Sequence, residues 1–261
     1  YSALPLVKNR FPNADVKDDK FMTEQILEIA GEVQDYINKS YNYFSSKFLN
    51  IRGDHRFEIK QEMIAKSAFW VTKKRYGQWI INDGGLEVEK LDVKGLDIVR
   101  SSFPPAFRDF MTKVLKAILA KVPKDKIDEF ILNFKNNLKD EELDKIALPT
   151  GVKGLNKYMD KSKGGFQSKT MFTPMKKGAP VHTKASVIYN DLLKHFKANN
   201  HEPISNGNKV RWVYLKTNPY NIDGIAYKGY DDPKQIIDFI NQYVDRDKLF
   251  DKALSKKIKM F

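Results

Sequence analysis

The sequence contains no cysteine, which excludes disulfide bonds and thiolate metal ligands. It has only four histidines, and their spacing matches no recognisable zinc site; they are His55, His182, His195 and His201. No apolar run approaches the roughly 20 residues that a membrane-spanning helix needs. The first residues also lack the charged segment and long apolar stretch of a secretory signal peptide. We therefore expect neither a metal site nor a membrane partner for this chain.

Positive charge is the strongest feature that the composition does have. The 261 residues include 46 lysines and arginines against 33 acidic residues, which gives a formal net charge of +13. A charge of this size favours a polyanionic partner such as nucleic acid. The alternative is an ordinary protein with a lysine-rich surface. The hydrophobic content of 41% is enough for one or two domains with their own cores.

The first part of the chain shows both helical and strand-like patterns. Residues 2–7 read as a short strand, and residues 23–48 carry apolar residues at the spacing of one long helix face. Residues 56–81 are rich in aromatic and branched residues, which predicts two or three strands. A turn is expected at residues 82–85, followed by a strand over residues 91–99 that breaks at its glycine.

The second part is mostly helical. An apolar stripe after Pro104 and Pro105 predicts one helix, and the next segment predicts a second; further helices are expected over residues 184–197 and within residues 236–258. Residues 210–215 read as a strand, and residues 151–180 as a long irregular loop. With a boundary near residues 94–102, the pattern predicts an α+β protein: a helix-and-strand unit, then a mainly helical unit with a small β element.

The predicted loop carries much of the positive charge. Between Gly151 and Tyr189 the sequence has one acid, Asp160, and eight lysines, at positions 153, 157, 161, 163, 169, 176, 177 and 184. Lysine among glycine and serine is a flexible charge that can follow phosphates without reading sequence. The alternative is a solvated, disordered segment.

A second cationic cluster is Lys73-Lys74-Arg75-Tyr76, which lies inside the strand-like region. If all four residues belong to one strand, Lys73 and Arg75 share one face, and Lys74 and Tyr76 share the other. Burying unpaired cations is unfavourable, and an anionic ligand across the sheet would remove that cost. The alternative is an exposed edge strand that uses charge to prevent aggregation.

Polar and cationic side chains also precede two predicted helices. Lys94, Arg100, Ser101 and Ser102 come before the first, and His182 and Lys184 lie at the start of another. The free amide groups and the dipole of a helix start favour phosphate binding. Simple capping by the serines and a structural histidine are the alternatives.

Four blocks in this order resemble the C-terminal portion of family B DNA polymerases, with the closest likeness to the replicative enzymes of T-even-like phages. The blocks are "VTKKRYG", "VKGLDIVRSSFPP", "APVHTKASVIYNDLL" and "GNKVRWVYLKTNPYNIDGIAY". The resemblance implies that residues 1–95 form the late part of the polymerase palm and residues 96–261 the thumb.

The resemblance also implies site residues. Lys73, Lys74, Arg75 and Tyr76 would contact the minor groove or backbone of duplex DNA near the primer end. Lys94, Gly95, Arg100, Ser101 and Ser102 would lie against the primer strand at the palm–thumb junction, and His182 and Lys184 would contact phosphates further back. In "FEIKQEMIA", Glu62 matches a family carboxylate near the metal site, although Lys60 stands where some relatives carry a second acid.

Two family features are missing from the sequence. The metal-binding Asp-Thr-Asp motif should stand before Tyr1, and the tail that binds the sliding clamp should follow Phe261. We therefore expect a fragment that is inactive alone and binds no cofactor by itself, with Mg²⁺ acting only in the complete polymerase. The expected partners are primer-template DNA and the N-terminal polymerase portion, with the sliding clamp reached only through the missing tail. The expected location is the cytoplasm of a bacterial or phage-infected cell.

The sequence motifs by themselves also allow other classes of function. A non-catalytic basic nucleic-acid-binding or adaptor module would have the same charge. An RNA-binding sheet is disfavoured because the aromatic residues show no exposed stacking pattern. A self-contained nuclease or transferase needs clustered acids, and Glu58 and Glu62 are the only close acidic pair on a predicted strand.

Overall fold

The computed structural model describes residues 2–160 and 171–259, and it has the expected α+β fold. The chain divides into two compact units, Tyr1–Gly95 and Leu96–Phe261. The assignment of these two ranges to palm and thumb stays a prediction. No helix in the described part of the chain is both long and apolar enough to cross a membrane.

The first unit begins with two helices, α1 (Leu4–Arg10) and α2 (Asp19–Phe48). The prediction of a strand at residues 2–7 was wrong, because Pro5 suits the first turn of a helix and Val7 packs onto α2. The long helix is confirmed. Its N-cap residue is Asp18, whose side chain accepts hydrogen bonds from two amide groups of the first turn.

An antiparallel sheet of three strands follows, in the order β1 (Met63–Thr72), β2 (Arg75–Asp83) and β3 (Leu86–Lys94). The turn predicted at residues 82–85 lies between β2 and β3, and the third strand ends at Lys94 rather than continuing to residue 99.

The interpretation of Lys73–Tyr76 as part of one strand was wrong. Lys73 and Lys74 form the tight turn between β1 and β2, and Lys74 has a φ of +63°. Arg75 and Tyr76 are the first residues of β2. The face alternation expected for the four residues therefore does not apply, and the two lysines project from the tip of a β-hairpin.

The second unit is mainly helical. Its helices are α3 (Pro105–Leu119), α4 (Lys124–Asn137), α5 (Leu143–Ile146), α6 (Leu155–Tyr158), α7 (Val181–His195), α8 (Lys234–Tyr243), α9 (Arg246–Phe250) and α10 (Lys256–Ile258). The helices predicted after Pro104, over residues 184–197 and within residues 236–258 are confirmed. The single irregular loop predicted at residues 151–180 was wrong in part, because it contains α6 and a bridge between Met159 and Met175.

A second antiparallel sheet has the order β4 (Leu148–Gly151), β5 (Lys209–Tyr214) and β6 (Gly224–Tyr227). The strand predicted at residues 210–215 is confirmed as β5. Sequence reasoning missed β6, which is buried along its whole length and packs against α7. A strand covered on both sides lacks the alternation of polar and apolar residues that marks a half-exposed strand.

Aromatic packing between α3 and α4 forms part of the core of this unit. Phe110 lies 4.0 Å from Phe134 and 5.2 Å from Phe130, measured between ring centroids, with both pairs stacked. Phe250 of α9 also contacts Phe134. The guanidinium of Arg246 donates to the carbonyl groups of Leu138 and Glu141, at 2.7 and 2.6 Å, and so joins α9 to the end of α4.

Candidate nucleic-acid interface

The β1–β2 hairpin tip presents its two lysines to solvent. Lys73 and Lys74 are exposed, whereas Arg75 and Tyr76 are half-buried. The Nε atom of Arg75 is buried without a hydrogen-bond partner. A two-residue turn leaves both ammonium groups free to move on flexible stems, which suits contact with phosphates at varied positions.

Gly95 packs closely against the backbone of the hairpin tip. It has a φ of +65°, and a Cβ atom at this position would lie 2.2 Å from the carbonyl oxygen of Lys74 and 3.1 Å from Cγ of Arg75. Only glycine fits such an approach without displacing the turn. The structure therefore gives Gly95 a packing role, and the direct DNA contact implied for it stays a prediction.

One row of residues crosses the sheet beside the tip. Trp70 pairs with Tyr76, and Tyr76 pairs with Lys94, so all three side chains share one face. The rings of Trp70 and Tyr76 are 4.8 Å apart. Sequence reasoning missed Trp70 because it placed no turn at Lys73. The two consecutive lysines between apolar segments could have indicated a turn there, and a turn at Lys73 gives the correct strand register.

Lys94 is exposed and lies 3.2 Å from Asp92. The amide nitrogen of the Gln78 side chain lies 3.3 Å from the other carboxylate oxygen of Asp92, so the acid is held from two sides. A surface ion pair of this kind contributes little to stability. The Lys94 side chain is 60% exposed, so its ammonium group can also reach an external anion.

Glu62 lies at the far end of the same sheet. It precedes β1, is exposed, and its carbonyl accepts a hydrogen bond from the amide of Gly84. The ten residues of β1 place it on the order of 30 Å from the hairpin tip. Among residues 2–160 and 171–259, no group of three acidic or histidine side chains could hold a metal ion. The auxiliary role of Glu62 stays a prediction.

Arg100 lies before α3 in the second unit and is paired with an acid. Its Nη1 atom is 2.8 Å from Oδ1 of Asp97, while Lys257 Nζ lies 3.5 Å from Oδ2. Lys257 also lies over the ring of Phe103, at 4.3 Å. Asp97 therefore has two cationic partners, and it keeps one of them if Arg100 turns to a phosphate.

Ser101 and Ser102 are exposed and do not cap α3. The residue at the helix start is Pro104, and no side chain caps the helix there. The capping interpretation of the two serines was wrong, because Pro104 occupies the N-cap position and both serines lie outside it. Their hydroxyl groups remain available to an external acceptor.

His182 and Lys184 lie in the first turn of α7, which also begins without a side-chain cap. Lys184 is exposed and His182 is half-buried. The segment that precedes this helix is anchored to it by Asp191. The Asp191 carboxylate accepts hydrogen bonds from the amide and hydroxyl of Thr173, at 2.7 and 3.0 Å. Because His182 and Lys184 are two residues apart, their side chains leave nearly opposite sides of the helix start, and the two phosphate contacts stay predictions.

The lysine-rich segment is only partly described. Lys176 donates to the carbonyl of Lys157 at 3.0 Å, and Lys157 Nζ lies 5.5 Å from the centre of the Tyr158 ring. The predicted phosphate-following lysines at positions 161, 163 and 169 lie outside the described residues. The visible lysines lie beside short regular elements rather than along a featureless loop.

Burial lowers the pKa of His182 below its ordinary value of 6.5. The unfolded chain therefore binds more protons between that lowered pKa and 6.5, and stability is expected to fall as pH falls through this window. A phosphate beside the ring favours the protonated form, so DNA binding is expected to raise the pKa and to strengthen as pH falls below 6.5. NMR titration of the His182 ring, with and without duplex DNA, measures both effects. The variant His182→Gln should remove the pH dependence of stability and of DNA binding. If the His182 titration does not change on adding DNA, a phosphate contact is excluded.

Comparison with known families adds an independent finding. The sequence matches DNA polymerase family B over residues 19–260, which is almost the whole chain. The chain therefore belongs to DNA polymerase family B. This is a family of DNA-directed DNA polymerases, which are nucleotidyltransferases. A search of curated proteins returned no match.

Proposed function

We propose that this chain is the late-palm and thumb portion of a family B DNA polymerase of the T-even-like phage type, and that it grips primer-template duplex. In this proposal residues 1–95 belong to the palm and residues 96–261 to the thumb. The observation that carries the proposal is the exposed Lys73–Lys74 turn, whose backbone packs against Gly95. Two exposed lysines at the end of a β-hairpin can contact DNA phosphates without recognising the base sequence.

The remaining cations fit the same task. Lys94 and Arg100 are held by Asp92 and Asp97, so both are positioned before a phosphate arrives. Lys184 is exposed in the first turn of α7, where the helix dipole also favours an anion. Phosphate contacts fix the position of the protein on the DNA and supply affinity, but they carry no sequence information. A polymerase has to bind product DNA of any sequence, so contacts of this kind suit it.

The described residues bind DNA in this role and do not carry out the chemical step. Nucleotidyl transfer uses two divalent metal ions held by carboxylates. The described part of the chain offers no group of three such side chains. We therefore expect no primer extension by this chain alone, with the N-terminal polymerase portion as the partner that supplies the metal ligands in a bacterial or phage-infected cell.

Fluorescence anisotropy with primer-template DNA over a salt series tests this function. If about 6–8 phosphates are neutralised, the plot of log affinity against log salt should have a slope of about −5 to −7. The double variant Lys73→Ala, Lys74→Ala should reduce the size of the slope by about 2, since each lost contact contributes about 0.9.

Lys39→Ala is the matched control, because Lys39 is an exposed lysine of α2 in the same unit. It should leave the slope unchanged. A flat salt response, or equal losses from the control and from the double variant, would contradict the proposal. Equal affinity for unstructured RNA would favour a general basic module instead.

A further inference from the structure

Trp70 is an exposed aromatic residue beside the hairpin tip. Its relative exposure is 66%, although tryptophan is usually well buried in folded chains. The indole contacts Tyr76 on the neighbouring strand, and the two rings are inclined at 44°. The proposed phosphate contacts make no use of this large apolar surface.

The surroundings of Trp70 leave the indole open on the sheet face. The next residue on that face of β1 is Ala68, which is exposed and too small to cover a ring. Lys73 and Lys74 follow Trp70 within four residues, and Lys94 lies in the same cross-strand row. An apolar ring on the same sheet as three exposed cations is complementary to a nucleotide, which combines a flat base with an anionic phosphate.

We propose that Trp70 stacks on an unpaired DNA base while Lys73 and Lys74 contact the neighbouring phosphates. This inference rests on the proposed function and deepens it. Paired bases inside a duplex have both faces covered by their neighbours, so an indole can stack only on a base that is unpaired or terminal. The hairpin then favours DNA with a single-stranded segment over a blunt duplex, without preferring any base, because every base offers a π-face.

Tryptophan fluorescence can isolate this contact, because the chain has three tryptophans. In a Trp79→Phe, Trp212→Phe background, only Trp70 remains. Titration with single-stranded oligo(dT) should quench its emission strongly, and a blunt duplex of the same length should quench it much less, because that duplex offers only its two end faces for stacking. Equal quenching by both ligands, or none by oligo(dT), overturns the inference.

Anisotropy of the otherwise unaltered chain gives a second measurement that does not depend on the double background. Trp70→Ala should weaken binding of single-stranded DNA by about 5- to 150-fold, the range that corresponds to loss of one stacked base. Its affinity for blunt duplex should change by less than about twofold. Tyr36→Ala, which removes a 76% exposed aromatic ring from α2, should change neither affinity.

The outcomes separate the two proposals. If duplex binding and its salt dependence hold while Trp70→Ala changes nothing, only the stacking inference fails. If the chain binds no DNA, the proposed function fails first. If Trp70→Ala changes sedimentation of the chain rather than DNA affinity, the ring covers a second copy of the chain and the stacking inference is wrong.

Discussion

Replacing Phe110 by alanine is expected to lower the free energy of unfolding of the second unit by about 3–5 kcal/mol. Phe110 is 2% exposed and stacks on both Phe130 and Phe134. The substitution removes apolar burial and two ring contacts at once, and it leaves a cavity that the facing helix can fill only in part.

Denaturant unfolding followed by the fluorescence of Trp212 measures this change, provided that Trp70 and Trp79 are replaced by phenylalanine. Trp212 lies in β5, so the signal reports on the second unit and avoids treating a chain of two compact units as one transition. Leu132→Ala is the matched control, because Leu132 lies on α4 but is 59% exposed. It should change stability by less than about 0.5 kcal/mol. A loss below about 1 kcal/mol for Phe110→Ala would show that the aromatic stack is not a main support of this core.

Gly95→Ala is the second substitution with a large expected effect. The left-handed backbone alone costs an alanine about 1–2 kcal/mol. The new methyl group would also collide with the Lys74 carbonyl, and overpacking of this kind adds about 1–3 kcal/mol. We expect the turn to shift, so that stability of the first unit and affinity for duplex DNA fall together.

Gly84→Ala separates the two contributions. Gly84 has a φ of +60° in the same sheet, but a Cβ atom there would meet nothing within 4 Å. It should therefore show the backbone cost without the collision, and DNA affinity should stay unchanged. Hydrogen exchange of the β2 amides and anisotropy with duplex DNA report the two effects. If Gly95→Ala and Gly84→Ala reduce stability and DNA affinity equally, the close contact between Gly95 and Lys74 does not affect the hairpin tip.

Long apolar stripes made several helices predictable from the sequence. The apolar residues of α2 and α3 follow one helix face, and those of α7 show the same repeat although α7 is buried on most sides. A repeat of 3.6 residues over three or more turns is hard to produce by chance. The seven residues of α1 span too few turns to show this repeat, so its sequence alone also fits a strand. Its conformation depends on contacts of Val7 with α2, which are tertiary information.

The hairpin shows a different limit. Turns between strands are usually marked by glycine, asparagine or aspartate, and a Lys-Lys turn carries none of these signals. Placing the four residues of the cluster in one strand shifted the register, and this shift hid the pairing of Trp70 with Tyr76. A single misplaced turn therefore concealed the exposed ring that carries the stacking inference.

The resemblance supplied the candidate contact residues, and the structure supplied their neighbours. Arg100 was visible in the sequence, but its pairing with Asp97 and the second partner of that acid, Lys257, required the fold. These two cations are separated by more than 150 positions, and no local pattern in the sequence connects them. Sequence reasoning could therefore name cations, but it could not say which were already neutralised.

The attachment of α9 to α4 bears on how the chain folds during synthesis. Arg246 bonds to carbonyl groups at the end of α4, and Leu249 and Leu254 are fully buried. The hydrophobic interior of the second unit can therefore close only after residue 254 has left the ribosome, although α3 and α4 emerge more than 100 residues earlier. Until then the ring of Phe134 lacks its contact with Phe250, and the nascent chain exposes apolar surface that chaperones bind.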